Sequence, residues 1–405
     1  MKADKIIGLV EGVTKKWAKQ RKSEERSASA VRNRGHALTY APADTLKDAA
    51  WDAMEDAYMK ASAGGTLPAL ARQIMYAARG YIQDRIGLPL NSQYFTQTLL
   101  PDYMKWHDCS DWNVVFDARG HFHEPHTRFE VPLGTIEVRN YLARVGDHSV
   151  SPSQFSVREN LYPTIGPKNR YSAILFIEKE GFMPLLDAVR LRDRYDIAIM
   201  STKGMSNTAS RELVDKLCGQ ASIPLLVMHD FDKSGFSIVG TLKRATRRYS
   251  FRNKIEVIDI GLRMDDTEGL QDEEVFYKSS EISIRSNLME NGATRQEADF
   301  ICKRRVELNA MTSDELVAWI EGKLDAHGIT KLVPDDVTLG TAYQRAAAQA
   351  AIQKLIDETV AKFHEAGHSF TVPEDLGAQI EAKLADQPAR SWDSVLRDIV
   401  EREAA

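Results

Sequence analysis

Residues 224–235 read PLLVMHDFDKSG, an apolar run from Pro224 to Met228 followed by two carboxylates, Asp230 and Asp232, and then by Gly235. A short, wholly apolar run bounded by polar residues has the texture of a strand buried on both faces. Residues i and i+2 of an extended chain point to one side, so Asp230 and Asp232 can face a common partner, and Gly235 lets the backbone turn closely into whatever follows. Two chemistries fit a pair of this kind. Either the aspartates hold a hard divalent cation through oxygen, or Asp232 caps the next helix and Asp230 merely ends the strand.

The neighbouring sequence bears on the choice. Apolar runs at SAILFIE (172–178), DIAIM (196–200), IPLLVMH (223–229) and KIEVIDIGL (254–262) alternate with helical stretches PLLDAVRLRD, NTASRELVDKLC and FSIVGTLKRATRR. Strands separated by helices of about ten residues predict βαβ units and a parallel sheet covered on both faces, here over roughly 168–265. Ligands of such sheets collect at the carboxyl ends of the strands. Glu178 ends the first run and therefore joins Asp230 and Asp232 as a third acid at that rim. Three carboxylates suit Mg²⁺ or Mn²⁺, and the expected chemistry is metal-assisted attack on a phosphodiester.

Outside the sheet the chain divides into further parts. Residues 1–62 read as a basic helical arm, with ten Lys/Arg against four acids in the first 35 residues. Residues 63–160 open with a helix after Pro68. They continue into the alternating stretches WNVVFDARGHF and FEVPLGTIEVRNYL, expected to form a hairpin, and together suggest a winged-helix DNA-binding domain. Residues 168–332 hold the α/β domain and its elaboration, and 333–405, beginning near VPDD, read as a helical tail. The net charge of −5 hides this unevenness, since a second basic cluster, KRATRRYSFRNK, spans 243–254, and local patches decide whether phosphate is attracted. Three widely spaced cysteines form no disulfide framework and suit a reducing cytoplasm. No run approaches a membrane span.

A Glu after the first strand, the Gly-containing loop STKGMSNTASR after the second and DxDxxG after the third resemble a Toprim domain. That likeness implies acid/base or metal-binding work for Glu178 and Mg²⁺ ligation by Asp230 and Asp232. Upstream, ALARQIMYAARGYI places Arg72 and Tyr76 one helical turn apart. With a winged helix around it and a Toprim domain after it, this order is similar to the A subunit of topoisomerase VI and its meiotic double-strand-break relatives. IDIGLRMDDTEGL and RVELNAMTSDELVAWIEGKL extend the likeness to about 330. The resemblance implies an α/β Toprim domain preceded by a CAP-like winged-helix domain, with helical extensions at both termini. It further implies Tyr76 as the nucleophile toward double-stranded DNA, Arg72 on the scissile phosphate, and a homodimer in which tyrosine and Toprim sites act in trans. Gln73 and Met75 stand where the family commonly has Asp and a second aromatic.

The chain has neither a Walker A run nor the Gly-rich lid of GHKL ATPases, so any ATP-driven step calls for a separate ATPase subunit. Two other readings stay open: a hydrolytic Toprim nuclease of a plasmid- or phage-defence complex, in which water replaces the tyrosine, and a non-catalytic DNA-binding subunit. Smaller signals are Lys179 and Lys203, beside the expected metal site, and His229 before the DxD. His107, Cys109, His121, His123 and His126 invite a zinc reading, but their spacing matches no common structural site, and a wing with polar contacts to DNA or within the hairpin is expected instead.

Overall fold

The computed structural model describes residues 45–116, 120–127, 129–145, 166–202, 208–246, 249–367 and 371–403. Most of the basic arm (1–44) and the loop 203–207, with Lys203, lie outside them. In chain order come α1 (Leu46–Asp52), α2 (Met54–Ala61), β1 (Ala69–Leu70), α3 (Ala71–Ile86), α4 (Leu100–Trp106), β2 (Val114–Val115), β3 (His121–His123), β4 (Glu130–Pro132) and α5 (Thr135–Val145). The sheet region follows with β5 (Ala173–Ile177), α6 (Met183–Ala188), α7 (Leu191–Tyr195), β6 (Ile197–Ser201), α8 (Thr208–Ala221), β7 (Leu225–Met228), α9 (Lys233–Lys243) and β8 (Val257–Asp259). Last are β9 (Asp272–Glu274), α10 (Glu281–Glu290), α11 (Arg295–Ile301), β10 (Arg304–Val306), α12 (Ser313–Ala326), α13 (Asp336–Glu365), α14 (Leu376–Asp386) and α15 (Trp392–Glu403).

The described residues fall into two compact units, 45–57 with 78–108, and 58–77 with 109–403. The smaller unit is helical. Thr45 closes a capping box with Asp48 at the start of α1, Trp51 meets Tyr103 edge-on at 5.8 Å, and Arg85 pairs with Asp52 at 2.6 Å.

The larger unit is built on four parallel strands in the order β6-β5-β7-β8. Strand residues alternate between two cores. Ala173, Leu175, Ile177, Leu226 and Met228 face one, while Ile174, Phe176, Leu225 and Val227 face the other with Val214, Cys218, Ile238 and Leu242. Burial on both faces is why these strands read as unbroken apolar runs rather than as alternating ones. The chain leaves β5 for β6 on one side and returns to β7 on the other, which opens a crevice at the carboxyl ends of β5 and β7. Ile177 lies beside Met228 in the register, so Glu178 and the HDFD segment leave the sheet next to each other.

Two local expectations are corrected. The stretch FEVPLGTIEVRNYL is extended only over Glu130–Pro132, which pairs with His121–His123, and Thr135–Val145 is helical. Val138, Tyr141, Leu142 and Val145 have i, i+3, i+4, i+7 spacing, a helical period that overrides the β-branched composition. The hairpin lies on this helix through Phe122 and Phe129, 5.5 and 6.0 Å from Tyr141. Val114–Val115, expected in that hairpin, instead pairs in parallel with Ala69–Leu70. Beyond the sheet, the elaboration of the α/β domain contains the antiparallel pair β9–β10 beside its helices. The tail forms α13, α14 and α15; no side chain of the thirty-residue α13 is fully buried. No helix among the described residues is long and apolar enough to cross a membrane.

Leu175, fully buried in the second strand of the sheet, sets the scale of the core. Leu175→Ala should cost about 2–5 kcal/mol, seen as a lower urea midpoint with an unchanged slope.

Candidate active site

Beyond β7 the backbone runs through His229, Asp230, Phe231 and Asp232 into α9. Asp232 caps that helix, its Oδ1 accepting from the Gly235 amide at 2.7 Å. The capping role and a metal-binding role are thus compatible, since the second oxygen of Asp232 is not needed for the cap. His229 is fully buried. One ring nitrogen faces the Asp230 carbonyl at 2.7 Å and the other the Asp259 carboxylate at 2.9 Å. Burial opposes the charged ring, but the bond to Asp259 and the carbonyl outweigh it and raise its pKa; Asp259 in turn is held down to about 2, its His229 bond overcoming burial. Arg263 continues the chain to Asp259 at 3.0 Å and to Glu297 at 2.7 Å. His229 therefore serves as a buried brace for the DxD turn. Gly235 and Gly261 are required by it, because a Cβ at either position would run into the imidazole.

Asp230 is almost fully buried, and both its oxygens are engaged. Oδ1 accepts from the Leu308 amide at 2.8 Å, and Oδ2 from the Lys179 ammonium at 2.5 Å. Burial alone would push Asp230 up, yet Lys179 and the Leu308 amide hold it below the usual carboxylate range. Glu178 is pushed up to about 7 by burial, with the charge of Asp230 adding to the effect and Lys179 opposing it. Asp232 is likewise raised by burial and by Asp230. The three predicted acids thus sense one another. They are not drawn into joint coordination: among the described residues, no group of three His, Cys, Asp or Glu is arranged to hold an ion.

The donor set nevertheless fits a hard divalent cation. All three side chains offer oxygen, and Oε2 of Glu178 is buried without a hydrogen-bond partner, a costly state that an ion would relieve. Glu178, Asp230 and the free oxygen of Asp232 are the residues that would hold it.

The sequence reading missed a fourth acid, Glu307. Residues 304–308 run alongside the DxD turn, with Phe231 and Val306 exchanging backbone hydrogen bonds of 2.8 and 3.2 Å. This pairing delivers Arg305 and Glu307, two apart on an extended segment, to one side. Glu307 is buried among Arg72 at 2.8 Å, Arg305 at 3.3 Å and Lys179 at 3.7 Å. Arg305 also binds Glu273 at 2.6 Å, and Arg72 reaches the same carboxylate at 3.6 Å. The only sequence signal was the alternation in RVELNAM, within a stretch that resembled the family as a whole.

Arg72 and Tyr76 do share a helical face, and that face meets this network. Tyr76 is buried; burial first, then Glu307 and Glu273, push its hydroxyl well above the usual phenol range, with Arg72 opposing. The helix is held in place at Gln73, which accepts from the Leu70 amide at 2.9 Å and donates to the Met311 carbonyl at 3.0 Å. A neutral amide with one acceptor and one donor end satisfies both.

A protein-family model, the Toprim domain of Spo11 and of the A subunit of topoisomerase 6, matches residues 173–332. Residues 173–332 are a Toprim domain of this family. The match covers under half of the chain and includes Glu178, Asp230, Asp232, Glu273 and Glu307; Arg72 and Tyr76 precede it. No curated protein matches the chain.

The remaining sequence signals have local partners of their own. His121 and His123 face Glu130 across the hairpin at 3.6 and 3.9 Å, His107 stacks on Tyr103 at 3.9 Å, and Cys109 is buried and forms no disulfide. Part of the second basic cluster is structural: the Asp215 carboxylate accepts from the Tyr249 hydroxyl and from the amides of Arg252 and Asn253 at 2.8–2.9 Å.

Because protons compete with a cation for a carboxylate whose pKa lies at about 7, Mn²⁺ affinity should rise by up to about tenfold per pH unit below neutrality and level off above it. Glu178→Gln should flatten this dependence in calorimetric titrations run from pH 5.5 to 8.5. A slope that survives the substitution would assign it to another group.

Proposed function

We propose that the chain cleaves DNA strands at the crevice where β5 and β7 leave the sheet, in a divalent-cation-dependent reaction of the topoisomerase VI A type. The observation that carries this reading is the continuity of the charged network. The Arg72–Tyr76 face of α3 is joined to Asp230 through Glu307 and Lys179 in one compact unit, and Glu178 and Asp232 sense the charges of Asp230 and Lys179. The Toprim match supports a DNA-cleaving class.

In this reading residues 63–160 act as the winged-helix part that engages duplex DNA, although its hairpin is short. Arg72, half-exposed, turns from the carboxylates toward the scissile phosphate and offers paired N–H donors to its oxygens. Tyr76 attacks phosphorus. Its proton passes to Glu273, which lies against the hydroxyl; a new bond forms between the phenolic oxygen and phosphorus, and the bond from phosphorus to the 3′ oxygen breaks. Glu178, where it keeps a proton near neutrality and leaves the cation to Asp230 and Asp232, delivers the proton that the leaving oxygen needs. The product is a 5′-phosphotyrosyl link, whose retained bond energy permits resealing. Asp230 and Asp232, with Glu178 when it is ionised, would hold a Mg²⁺ or Mn²⁺, which would supply positive charge to phosphate oxygens. Two protomers acting on opposite strands give a double-strand break, which makes the homodimer part of the proposal. A separate GHKL-type ATPase would dock on the basic arm, and three buried cysteines outside any disulfide suit a cytoplasmic setting.

A second reading draws on a specific observation. Tyr76 is buried, and the carboxylates beside it discourage its ionisation, so it attacks only after the face of α3 is uncovered. A Toprim nuclease that activates water needs no such opening and would use Glu178, Asp230 and Asp232 alone. The test is incubation of the full chain with supercoiled plasmid and Mn²⁺, followed by denaturation with and without protease. Tyrosine chemistry predicts breaks seen only after protease and lost in Tyr76→Phe. Hydrolysis predicts protease-independent breaks that persist in Tyr76→Phe. In both, Glu178→Gln should slow cutting by about 10²–10⁴-fold.

A further inference from the structure

Lys179 follows directly on Glu178, and its ammonium sits where the Toprim acids call for a cation. It contacts Oδ2 of Asp230 at 2.5 Å, and the charges of Asp230 and Glu307 keep it protonated despite its burial. Asp230 cannot give that oxygen to a divalent ion while Lys179 holds it. The structure also contains a second berth for the ammonium. Oε2 of Glu307 lies 3.7 Å from the Lys179 nitrogen and is buried without a hydrogen-bond partner; Arg72 approaches the same oxygen at 2.8 Å but not in hydrogen-bonding alignment. Glu307 is itself fixed, since its segment pairs with the DxD turn and Leu308 binds the other oxygen of Asp230. A small rotation of a flexible lysine stem therefore exchanges one buried carboxylate for another with no backbone change.

We propose that Lys179 is the built-in counter-ion of the metal centre and that Glu307 is its alternative partner, receiving the ammonium when a divalent cation takes Asp230. The inference rests on reading Glu178, Asp230 and Asp232 as the cation's ligands. It assigns Glu307, to which the sequence reading gave no role of its own, a positioning role: it keeps Lys179 beside the crevice, one carboxylate away from Arg72, rather than leaving a charged side chain buried and unpaired. An ammonium that must be displaced lowers cation affinity, and one with a waiting acceptor lowers it less.

The test is Mn²⁺ binding to the full chain without DNA, followed by calorimetry and by the electron paramagnetic resonance of free Mn²⁺. Lys179→Met removes the competing charge while keeping the stem's bulk and should tighten binding by about tenfold or more. Lys179→Arg keeps the charge and should not tighten it. Glu307→Gln should weaken binding several-fold in the native background and by clearly less in the Lys179→Met background, because its effect acts partly through the lysine. The proposal is overturned if Lys179→Met binds Mn²⁺ no more tightly than the native chain, if Lys179→Arg tightens binding as much as Lys179→Met, or if Glu307→Gln weakens binding equally in both backgrounds. Asp230→Asn separates the two levels of inference. Unchanged Mn²⁺ affinity in that variant overturns the ligand assignment itself, and the counter-ion role with it.

Discussion

The arrangement of the site follows from one electrostatic constraint: four carboxylates, Glu178, Asp230, Asp232 and Glu307, are brought together where water is largely excluded. Like charges in such a place repel strongly, and each must be protonated, paired or hydrogen-bonded. The structure uses all three solutions. Glu178 is shifted toward its neutral form, Asp230 takes an ammonium and an amide, and Asp232 spends one oxygen on the start of α9. Glu307 gathers Arg72 and Arg305. The fold imposes this crowding by topology, because the reversal of strand order between β5 and β7 sends both acidic strand ends into one crevice.

The parts of this arrangement that depend on local pattern are readable in the sequence. Unbroken apolar runs mark strands buried on both faces, so β5, β6, β7 and β8 and the carboxylates at their ends follow from SAILFIE, DIAIM, IPLLVMH and KIEVIDIGL. The i, i+4 pair Arg72 and Tyr76 is equally local. What is not readable depends on contacts between distant segments. Glu273 and Glu307 reach the site only through β9–β10 and the bridge from Phe231 to Val306, and nothing in LQDEEV or RVELNAM signals which strand they will meet. Lys179 reads from the sequence as a neighbour of the metal site, but its engagement with Asp230 depends on the buried geometry. Val114–Val115 shows the same limit, since a two-residue strand carries too little pattern to name its partner, and the helix Thr135–Val145 is obscured by β-branched residues whose spacing is nonetheless helical.

The surroundings of Tyr76 carry a mechanistic consequence. A phenol buried against carboxylates is protected from reacting, and under the proposed tyrosine chemistry that protection serves while no substrate is in place. Under the same reading these carboxylates are useful once DNA arrives. Phosphate oxygens compete with Glu273 and Glu307 for Arg72, and a carboxylate relieved of its guanidinium partner becomes a better acceptor for the tyrosine proton. Arg305, which also binds both glutamates, limits how far that charge is exposed. Under the hydrolytic reading the same packing has a simpler meaning: Tyr76 is a structural residue that closes the face of α3 over the domain.

Charge balance orders the events at the site under either reading. Arg72, Lys179 and Arg305 bring three positive charges to a region with five carboxylates, Glu178, Asp230, Asp232, Glu273 and Glu307. His229 adds little, because Asp259 sits directly against it. Lys233 lines a pocket with Asp232 and Arg305; counted with it, these groups balance when Glu178 is protonated and are net negative when it is not. In the proposed reaction a divalent cation held by Glu178, Asp230 and Asp232 would tip this balance to positive and favour the approach of a polyanion, while Lys179, moved from Asp230 to Glu307, would keep its charge beside the crevice.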